Sequence, residues 1–177
     1  TETIDAEAIN EVKERYFSAM AAEIEHHGGK IEKYIGDAIM AVFGAPVSRA
    51  DDALRAVRAA TRMRTALDRL NARLAARGVP PLETGIGVHT GEVVAGNIGS
   101  EQRMEYTVIG DAVNLASRLE GATKELGASL VVSEDTWRLV EAHVEGRALA
   151  EVTVKGRARP VRCYAVDGVK AARGDAS

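Results

Sequence analysis

A glycine-bounded stretch between residues 29 and 44 constrains the fold of this 177-residue chain more than any other segment. It reads G-K-I-E-K-Y-I-G-D-A-I-M-A-V-F-G, so two runs rich in β-branched and aromatic residues flank a Gly-Asp pair. That pattern predicts a β-hairpin with a two-residue turn at Gly36-Asp37. Asp37 then lies at the tip, where its carboxylate either serves only the turn or faces a metal ion, and Lys33 precedes it by four residues.

Apolar periodicity predicts the elements that surround this hairpin. Apolar residues recur every three or four positions over residues 6–28 and again over residues 52–78, which is typical of two long amphipathic helices. Strand-like runs at residues 82–89 and 92–98 predict a second hairpin. A further run at residues 105–109 predicts a strand that leads into a third helix.

The last third of the chain continues the mixture of helices and strands. Asp111 is the predicted N-cap of the third helix, and Ser133 caps a short helix that follows a buried strand at residues 128–132. Runs at residues 149–154 and 161–166 predict a final strand pair. This mixed order predicts an α+β fold of ferredoxin-like type, in which helices flank a central, mainly antiparallel sheet.

Composition narrows the class of function. The hydrophobic content of 46% and charged content of 28% are typical of a soluble globular protein. The net charge of −3 gives no general attraction to nucleic acid or anionic membranes, and the eight arginines of residues 49–77 are not interleaved with aromatic residues. We therefore expect no nucleic-acid partner, and membrane contact only through segments outside this sequence. The single cysteine, Cys163, suits a reducing, cytoplasmic compartment.

The glycines between residues 85 and 99 do not indicate a dinucleotide site. Their spacing is not G-x-G-x-x-G, and the segment leads from strand to strand instead of opening a helix. Glycines within strands indicate that another backbone or a ligand approaches closely.

Polar residues on the third helix suggest phosphate chemistry. Asn114 and Arg118 are spaced i, i+4 near its N-terminus, where free N–H groups and the helix dipole favour anions. An amide and a guanidinium there either neutralise charge at a reacting phosphorus or form an ordinary polar helix face. Lys155, before a Gly turn, either reaches a triphosphate or is a surface lysine. Thr107 is either a plain strand former or a hydrogen-bonding partner of a base.

Several blocks of sequence, in order, resemble the catalytic domain of class III nucleotidyl cyclases, the adenylyl and guanylyl cyclases. The blocks are R-Y-F at 15–17, G-G at 28–29, K-Y-I-G-D-A-I-M-A-V-F-G at 33–44, G-V-H-T-G at 87–91, G-N-I-G at 96–99, Y-T-V-I-G-D-A-V-N-L-A-S-R-L-E at 106–120 and V-K-G at 154–156. The sequences of these blocks are most similar to those of the bacterial members. The resemblance implies a cyclase-type α+β fold.

The resemblance also implies which base is bound. In the family, a lysine four residues before the hairpin Asp contacts adenine N1, and an Asp or Thr on a later strand contacts the adenine amino group. Lys33 and Thr107 match these positions, whereas guanylyl cyclases usually carry Glu and Cys or a similar residue. Lysine can donate to adenine N1, an acceptor, while guanine N1 is a donor and suits a carboxylate. An adenylyl cyclase that uses ATP is therefore expected.

The remaining matches imply a reaction in which the ribose 3′-OH of ATP attacks its own α-phosphorus and pyrophosphate leaves. Asn114 and Arg118 match the family's transition-state pair, Lys155 matches its triphosphate lysine, and Asp37 matches a ligand of two catalytic Mg²⁺ or Mn²⁺ ions. The family works as head-to-tail dimers. Each chain of a homodimer would give Asp37 to one site, and Lys33 and the other matched residues to the second site.

One family element is missing from the sequence. The family begins with a central strand that carries the second metal-binding Asp, and only residues 1–5 precede the first helix here. Residues 1–167 are therefore expected to be an N-terminally incomplete catalytic domain, inactive or weakly active alone, followed by a flexible tail at 168–177. Two alternatives remain open: a non-catalytic cyclase-like dimerisation or nucleotide-sensing module, and a plain ferredoxin-like regulatory domain.

Overall fold

The computed structural model describes residues 6–98 and 105–171, with side chains at all of them except 95–98 and 105–109. The helices are α1 (Ala6–His26), α2 (Asp52–Ala76), α3 (Asp111–Gly121), α4 (Thr123–Leu126) and α5 (Glu134–Val140), which a 3₁₀ turn at Glu141–His143 extends. The strands are β1 (Lys30–Ile35), β2 (Ala38–Val42), β3 (Ile86–Val88), β4 (Val94–Ile98), β5 (Glu105–Ile109), β6 (Leu130–Ser133), β7 (Val144–Ala148) and β8 (Cys163–Val169).

The described strands form three sheets. Strands β1 and β2 form one pair, β4 and β5 form another, and the largest sheet has the order β3-β6-β8-β7. Strands β3 and β6 run parallel, and the other pairs are antiparallel. The predicted α+β class, with a mainly antiparallel sheet and flanking helices, is confirmed.

The four-stranded sheet carries helices on both faces, because residues of β6 alternate between two cores. Leu130 and Val132 pack with Val57 of α2 and Val140 of α5 on one face. Val131 packs on the other face, with Leu115 and Leu119 of α3 among its partners. Helix α3, which carries the predicted phosphate-binding residues, is therefore anchored by fully buried leucines to the centre of the sheet.

The predicted hairpin of residues 29–44 is present. Strands β1 and β2 pair antiparallel around Gly36-Asp37, with Ile35 opposite Ala38. Gly36 has φ +59°, a left-handed conformation that glycine adopts without strain. The hairpin rests on α1 through Phe17, whose ring meets that of Tyr34 edge-on at 5.4 Å.

Gly87 brings β3 and α3 into direct backbone contact. A Cβ atom at this position would lie 2.4 Å from the Glu120 nitrogen and 2.6 Å from the Ala116 carbonyl oxygen. Only glycine allows so close an approach. The expectation that a glycine in this segment marks the approach of another backbone is therefore confirmed at Gly87.

Two strand predictions were wrong. The runs at 82–89 and 92–98 do not form a hairpin, because β3 pairs with β6 and β4 pairs with β5. Residues 149–154 are not the partner of the last strand: they contribute one bridge, Val152 with Val161, and β8 pairs instead with β7. Strand β8 also extends to Val169, into the predicted tail, of which residues 172–177 lie outside the described part of the chain.

Candidate functional site

Helix α3 is tied at two places to the loop that contains Lys155. Near its N-terminus, the Arg157 guanidinium donates to Asp111 Oδ2 through Nη2 at 2.6 Å and through Nε at 3.1 Å. Two turns further along, Arg118 Nε donates to the carbonyl oxygen of Thr153 at 3.2 Å. The loop therefore runs along the helix in the opposite direction, with residue 157 tied to the first turn and residue 153 tied to Arg118 of the last turn.

This arrangement brings three predicted site residues together, namely Asn114, Arg118 and Lys155. Asp111, Asn114 and Arg118 are spaced i, i+3, i+7 and share one face of α3. Lys155 lies between Thr153 and Arg157, the two loop residues that are hydrogen-bonded to α3. Asn114 likewise lies between their two partners on the helix. Asn114 and Lys155 are both exposed, so their polar groups are available to a ligand on this face.

Arg118 also holds a second partner in this chain. Its Nη1 and Nη2 atoms donate to Glu125 Oε1 of α4 at 3.2 and 3.3 Å. The arginine side chain is 39% exposed and the glutamate 60% exposed, so water weakens the pair. A phosphate with two or more negative charges can therefore compete with Glu125 for the guanidinium.

Asp111 has a different role from the predicted one. The N-cap of α3 is Gly110, and no side chain caps the helix. Asp111 belongs to the first turn, where its carboxylate faces Arg157 instead of the free N–H groups. The sequence offered one signal for this pair, because Arg157 lies two residues after Lys155 and Asp111 shares the helix face of Asn114.

The hairpin carries two further predicted site residues. The Asp37 side chain is 82% exposed at the turn, and its Oδ1 atom lies 3.4 Å from Lys13 Nζ of α1. Lys33 is exposed on β1. Among the residues described, no group of three or more His, Cys, Asp or Glu side chains is placed to hold a metal ion. Asp37 is thus an accessible carboxylate, without a second acidic ligand beside it in the described part of the chain.

A cleft of about 1700 Å³ separates the hairpin from α3. Its walls include Asp37, all of β2 and β3, and Val113 and Ala116 of α3. Asp37 lines this cleft, whereas Asn114, Arg118 and Lys155 do not, because the face of α3 that carries Asn114 and Arg118 differs from the face that carries Val113 and Ala116. The last predicted residue, Thr107, lies opposite Gly96 in the β4–β5 pair, and its side chain is outside the described set.

A buried histidine fixes the loop that leads from β3 to β4. The His89 side chain is only 3% exposed, and its Nδ1 atom shares a hydrogen bond with Ser133 Oγ at 2.7 Å. The neighbouring Thr90 hydroxyl bonds that of Thr136 at 2.8 Å. Burial lowers the pKa of His89, with the carboxylate of Asp135 opposing that shift. This cluster holds the start of α5 against the end of β3.

The chain matches the adenylate and guanylate cyclase catalytic domain family over residues 2–168 and belongs to that family. The family predicted from the sequence motifs is therefore confirmed. None of the helices among the described residues is long and apolar enough to cross a membrane.

Individual relatives include cyclases named for either nucleotide. The solved guanylyl cyclase Cya2 is 40% identical with a TM-score of 0.87, and the match covers 97% of this chain and 86% of that one. The adenylyl cyclase CyaB from P. aeruginosa is 35% identical with a TM-score of 0.84, covering 98% and 88%. Adenylate cyclase 1 of Rhizobium meliloti (strain 1021) is 36% identical over 154 residues, 87% of this chain but only 23% of that protein.

Proposed function

We propose that the protein to which this chain belongs is an adenylyl cyclase that converts ATP to 3′,5′-cyclic AMP and pyrophosphate. The observation that carries the proposal is the grouping of Asn114, Arg118 and Lys155 along one face of α3. An amide, a guanidinium and an ammonium group on one surface suit a triphosphate, whose charge grows at the leaving group as the bond to the α-phosphorus breaks.

Arg118 and Lys155 have distinct tasks in this proposal. Lys155 neutralises the terminal phosphates when the triphosphate binds, because its exposed ammonium group, on a flexible stem, can reach an anion. Arg118 leaves Glu125 and donates to the α-phosphoryl oxygens, which carry more charge in the transition state than in bound ATP. Asn114 donates its amide N–H groups to the ribose or the same phosphoryl group and so orients the 3′-OH for attack.

The choice of ATP rests on Lys33 and Thr107. Lysine donates to the N1 acceptor of adenine, while the N1–H of guanine requires an acceptor. The exposed position of Lys33 on β1 leaves its ammonium group accessible to a base. Because the relatives include a guanylyl cyclase at 40% identity, the nucleotide is decided by assay and not by likeness.

Two divalent ions, Mg²⁺ or Mn²⁺, belong to the proposal, with Asp37 as one ligand. Such ions supply acidity to the attacking hydroxyl and charge to hold the phosphates. A pair of ions needs more than one carboxylate, and the described residues place only Asp37 at this point. The described residues alone therefore do not fit a pair of ions.

We propose that a strand outside residues 1–177 fills the cleft and brings the second carboxylate. Strands β2 and β3 both line the cleft, and each is paired on one side only among the described strands. A further strand between them would join the hairpin to the four-stranded sheet and cover apolar side chains such as Ile39 and Val42. Residues 1–167 are then an incomplete catalytic domain.

A head-to-tail homodimer is the proposed working form. Large apolar side chains are exposed on the hairpin, with Tyr34 at 53% and Ile35 at 56%, and Val94 is exposed at the start of β4. Exposed apolar groups of this size mark surfaces that associate. A dimer of this kind would place Asp37 of one chain beside the α3 residues of its partner.

The single carboxylate at the hairpin tip favours one alternative, a non-catalytic dimerisation or nucleotide-sensing module. Asp37 forms an ion pair with Lys13 in this chain, and its carboxylate would have to leave Lys13 in order to bind a metal ion. Such a module would bind a nucleotide through Lys155 and Arg118 without turning it over.

The decisive experiment compares residues 1–177 with the longer natural protein, with ATP and GTP and with Mg²⁺ and Mn²⁺, by mass spectrometry of the cyclic product. We expect cyclic AMP from the longer protein and little or none from residues 1–177. Arg118→Ala should lower kcat about 10²- to 10³-fold, as the loss of one transition-state donor does. Arg138→Ala, which removes an exposed arginine paired with Glu134 on α5, is the matched control.

Base choice is tested separately. Lys33→Glu combined with Thr107→Cys should shift the ratio of ATP to GTP use towards GTP, and no shift would contradict the assigned roles. Nucleotide binding by the longer protein without any cyclic product would favour the non-catalytic module.

A further inference from the structure

We infer that Asp111 and Arg157 form a positioning pair that holds the Lys155 loop against α3 so that Lys155 can bind phosphate. The inference deepens the proposed function and rests on it. Neither residue touches the substrate in this reading: Asp111 acts through Arg157, and Arg157 acts through the loop backbone.

The contact geometry suits such a role. Both Nε and Nη2 of Arg157 donate to the same oxygen, Asp111 Oδ2, which fixes the orientation of the guanidinium plane. The Arg157 amide donates to the Val154 carbonyl oxygen at 3.1 Å and closes a turn around Lys155 and Gly156. Gly156 has φ +89°, which lets the chain reverse here. Fixing Arg157 therefore fixes the turn that presents Lys155.

The other end of the loop is held by a contact that substrate binding would disturb. Thr153 is attached through Arg118, the residue that has to move when it binds a phosphoryl group. If that tie loosens, the Asp111–Arg157 pair still holds the Lys155 side of the loop to α3 by a polar contact, while Val152 and Val154 stay packed in the core with α3. Asp111 lies seven residues before Arg118 on the same helix face, which separates the two backbone positions by about 10 Å along the helix axis.

The competing reading is that Arg157 binds phosphate directly and Asp111 only neutralises it. The two readings predict opposite effects of Asp111→Asn. A released Arg157 that is itself a ligand would bind an anion as well as before or better, and loss of a carboxylate beside an anion site also favours binding. A positioning pair predicts weaker binding despite the loss of negative charge.

The test measures binding of inorganic tripolyphosphate to the longer natural protein by calorimetry, beside ATP turnover. Asp111→Asn and Arg157→Gln should each weaken tripolyphosphate binding about two- to fivefold, the range of an exposed pair. The double variant should be no worse than either single one, and Asp111→Arg with Arg157→Asp should recover part of the loss. In turnover, the single variants should raise KM for ATP and change kcat little.

A Lys155→Ala background separates positioning from general stabilisation. If the pair acts through Lys155, then Asp111→Asn causes no further loss of tripolyphosphate affinity once Lys155 is removed. Arg147→Gln is the control, because Arg147 makes a comparably exposed ion pair, with Asp167 at 3.0 Å, between β7 and β8. That variant should bind as the parent does.

Three results would overturn the inference: unchanged or tighter binding by Asp111→Asn, multiplying losses in the double variant, or no tripolyphosphate binding by the parent protein. The proposed function fails differently. If tripolyphosphate binds and the variants follow the expected pattern while no cyclic nucleotide forms, the pair stands and the cyclase assignment falls.

Discussion

The close backbone contact between β3 and α3 at Gly87 gives a prediction whose size follows from the structure. Gly87→Ala adds a methyl group that would lie 2.4 Å from the Glu120 nitrogen, 2.6 Å from the Ala116 oxygen and 3.0 Å from the Leu119 carbonyl carbon. All three are backbone atoms of α3, so no side chain can rotate away. Ordinary contact begins near 3.4 Å, and α3 therefore has to move about 1 Å away from β3.

That displacement has an energetic cost because α3 also packs tightly against the four-stranded sheet. Leu115 and Leu119 are 1% and 0% exposed and pack against Val131 of β6. Inserting one methyl group into such packing costs about 1–3 kcal/mol. We expect Gly87→Ala to lower the free energy of unfolding by about 2 kcal/mol, which is a large share of the stability of an ordinary domain.

Urea unfolding followed by circular dichroism measures this difference. Gly121→Ala is the control, because Gly121 lies in the last turn of α3 and a Cβ there meets nothing within 4 Å. That change should stabilise the protein by about 0.5–1 kcal/mol through the helix preference of alanine. If Gly87→Ala unfolds at the same urea concentration as the parent, the close approach of β3 and α3 is refuted.

Three further predictions concern the histidine cluster, the dimer and Glu125. Burial lowers the pKa of His89 below its ordinary value of 6.5, so the folded state favours the neutral imidazole. The contribution of neutral His89 to the free energy of unfolding is therefore complete above pH 6.5. It is lost as the pH falls and the unfolded state takes up the proton more readily. His89→Gln should therefore show a smaller fall in melting temperature between about pH 7.5 and pH 5.5 than the parent, and an equal fall would contradict this. In the longer protein, mixing inactive Asp37→Ala and Arg118→Ala chains should restore about a quarter of the parent activity, because half the dimers are mixed and each has one intact site. No recovery would argue that each site comes from one chain. Glu125→Gln should tighten tripolyphosphate binding about twofold in calorimetry, because the anion no longer displaces a charged partner from Arg118; weaker binding would mean that Glu125 orients the arginine.

Local sequence signals predicted the elements that local chemistry determines. The β1–β2 hairpin follows from strand formers around Gly36-Asp37, and α2 follows from apolar periodicity that ends before Gly78. Ser133 caps α5 as expected, with its hydroxyl accepting from the Thr136 amide. Each of these features depends on residues within a few positions of one another, so a single sequence contains the information.

The pairing of strands that are distant in the sequence could not be predicted from the sequence, for a physical reason. Strand β7 includes Glu145, Gly146 and Arg147, of which the two charged side chains are exposed, so it lacks the apolar run by which strands are recognised. Residues 149–154 carry such a run, but Val152 and Val154 are buried in the core beside α3 and make only a bridge to Val161. Burial against a helix and burial in a sheet leave the same apolar signature in a short segment.

The candidate site shows the same division between residue identity and residue partners. Asn114, Arg118 and Lys155 were predicted as site residues from spacing and resemblance, but the pairing of Glu125 and Asp111 with neighbouring arginines was not predicted. Glu125 and Asp111 both pair with arginines at α3, yet they are predicted to affect anion binding in opposite directions. In the proposed site, Glu125 pairs with the guanidinium of Arg118, which binds the phosphate, whereas Asp111 holds the guanidinium of Arg157, which does not touch it. Electrostatics alone predicts that removing either negative charge favours an anion. Opposite effects of the two substitutions would therefore show that position, and not charge, determines the contribution of Asp111.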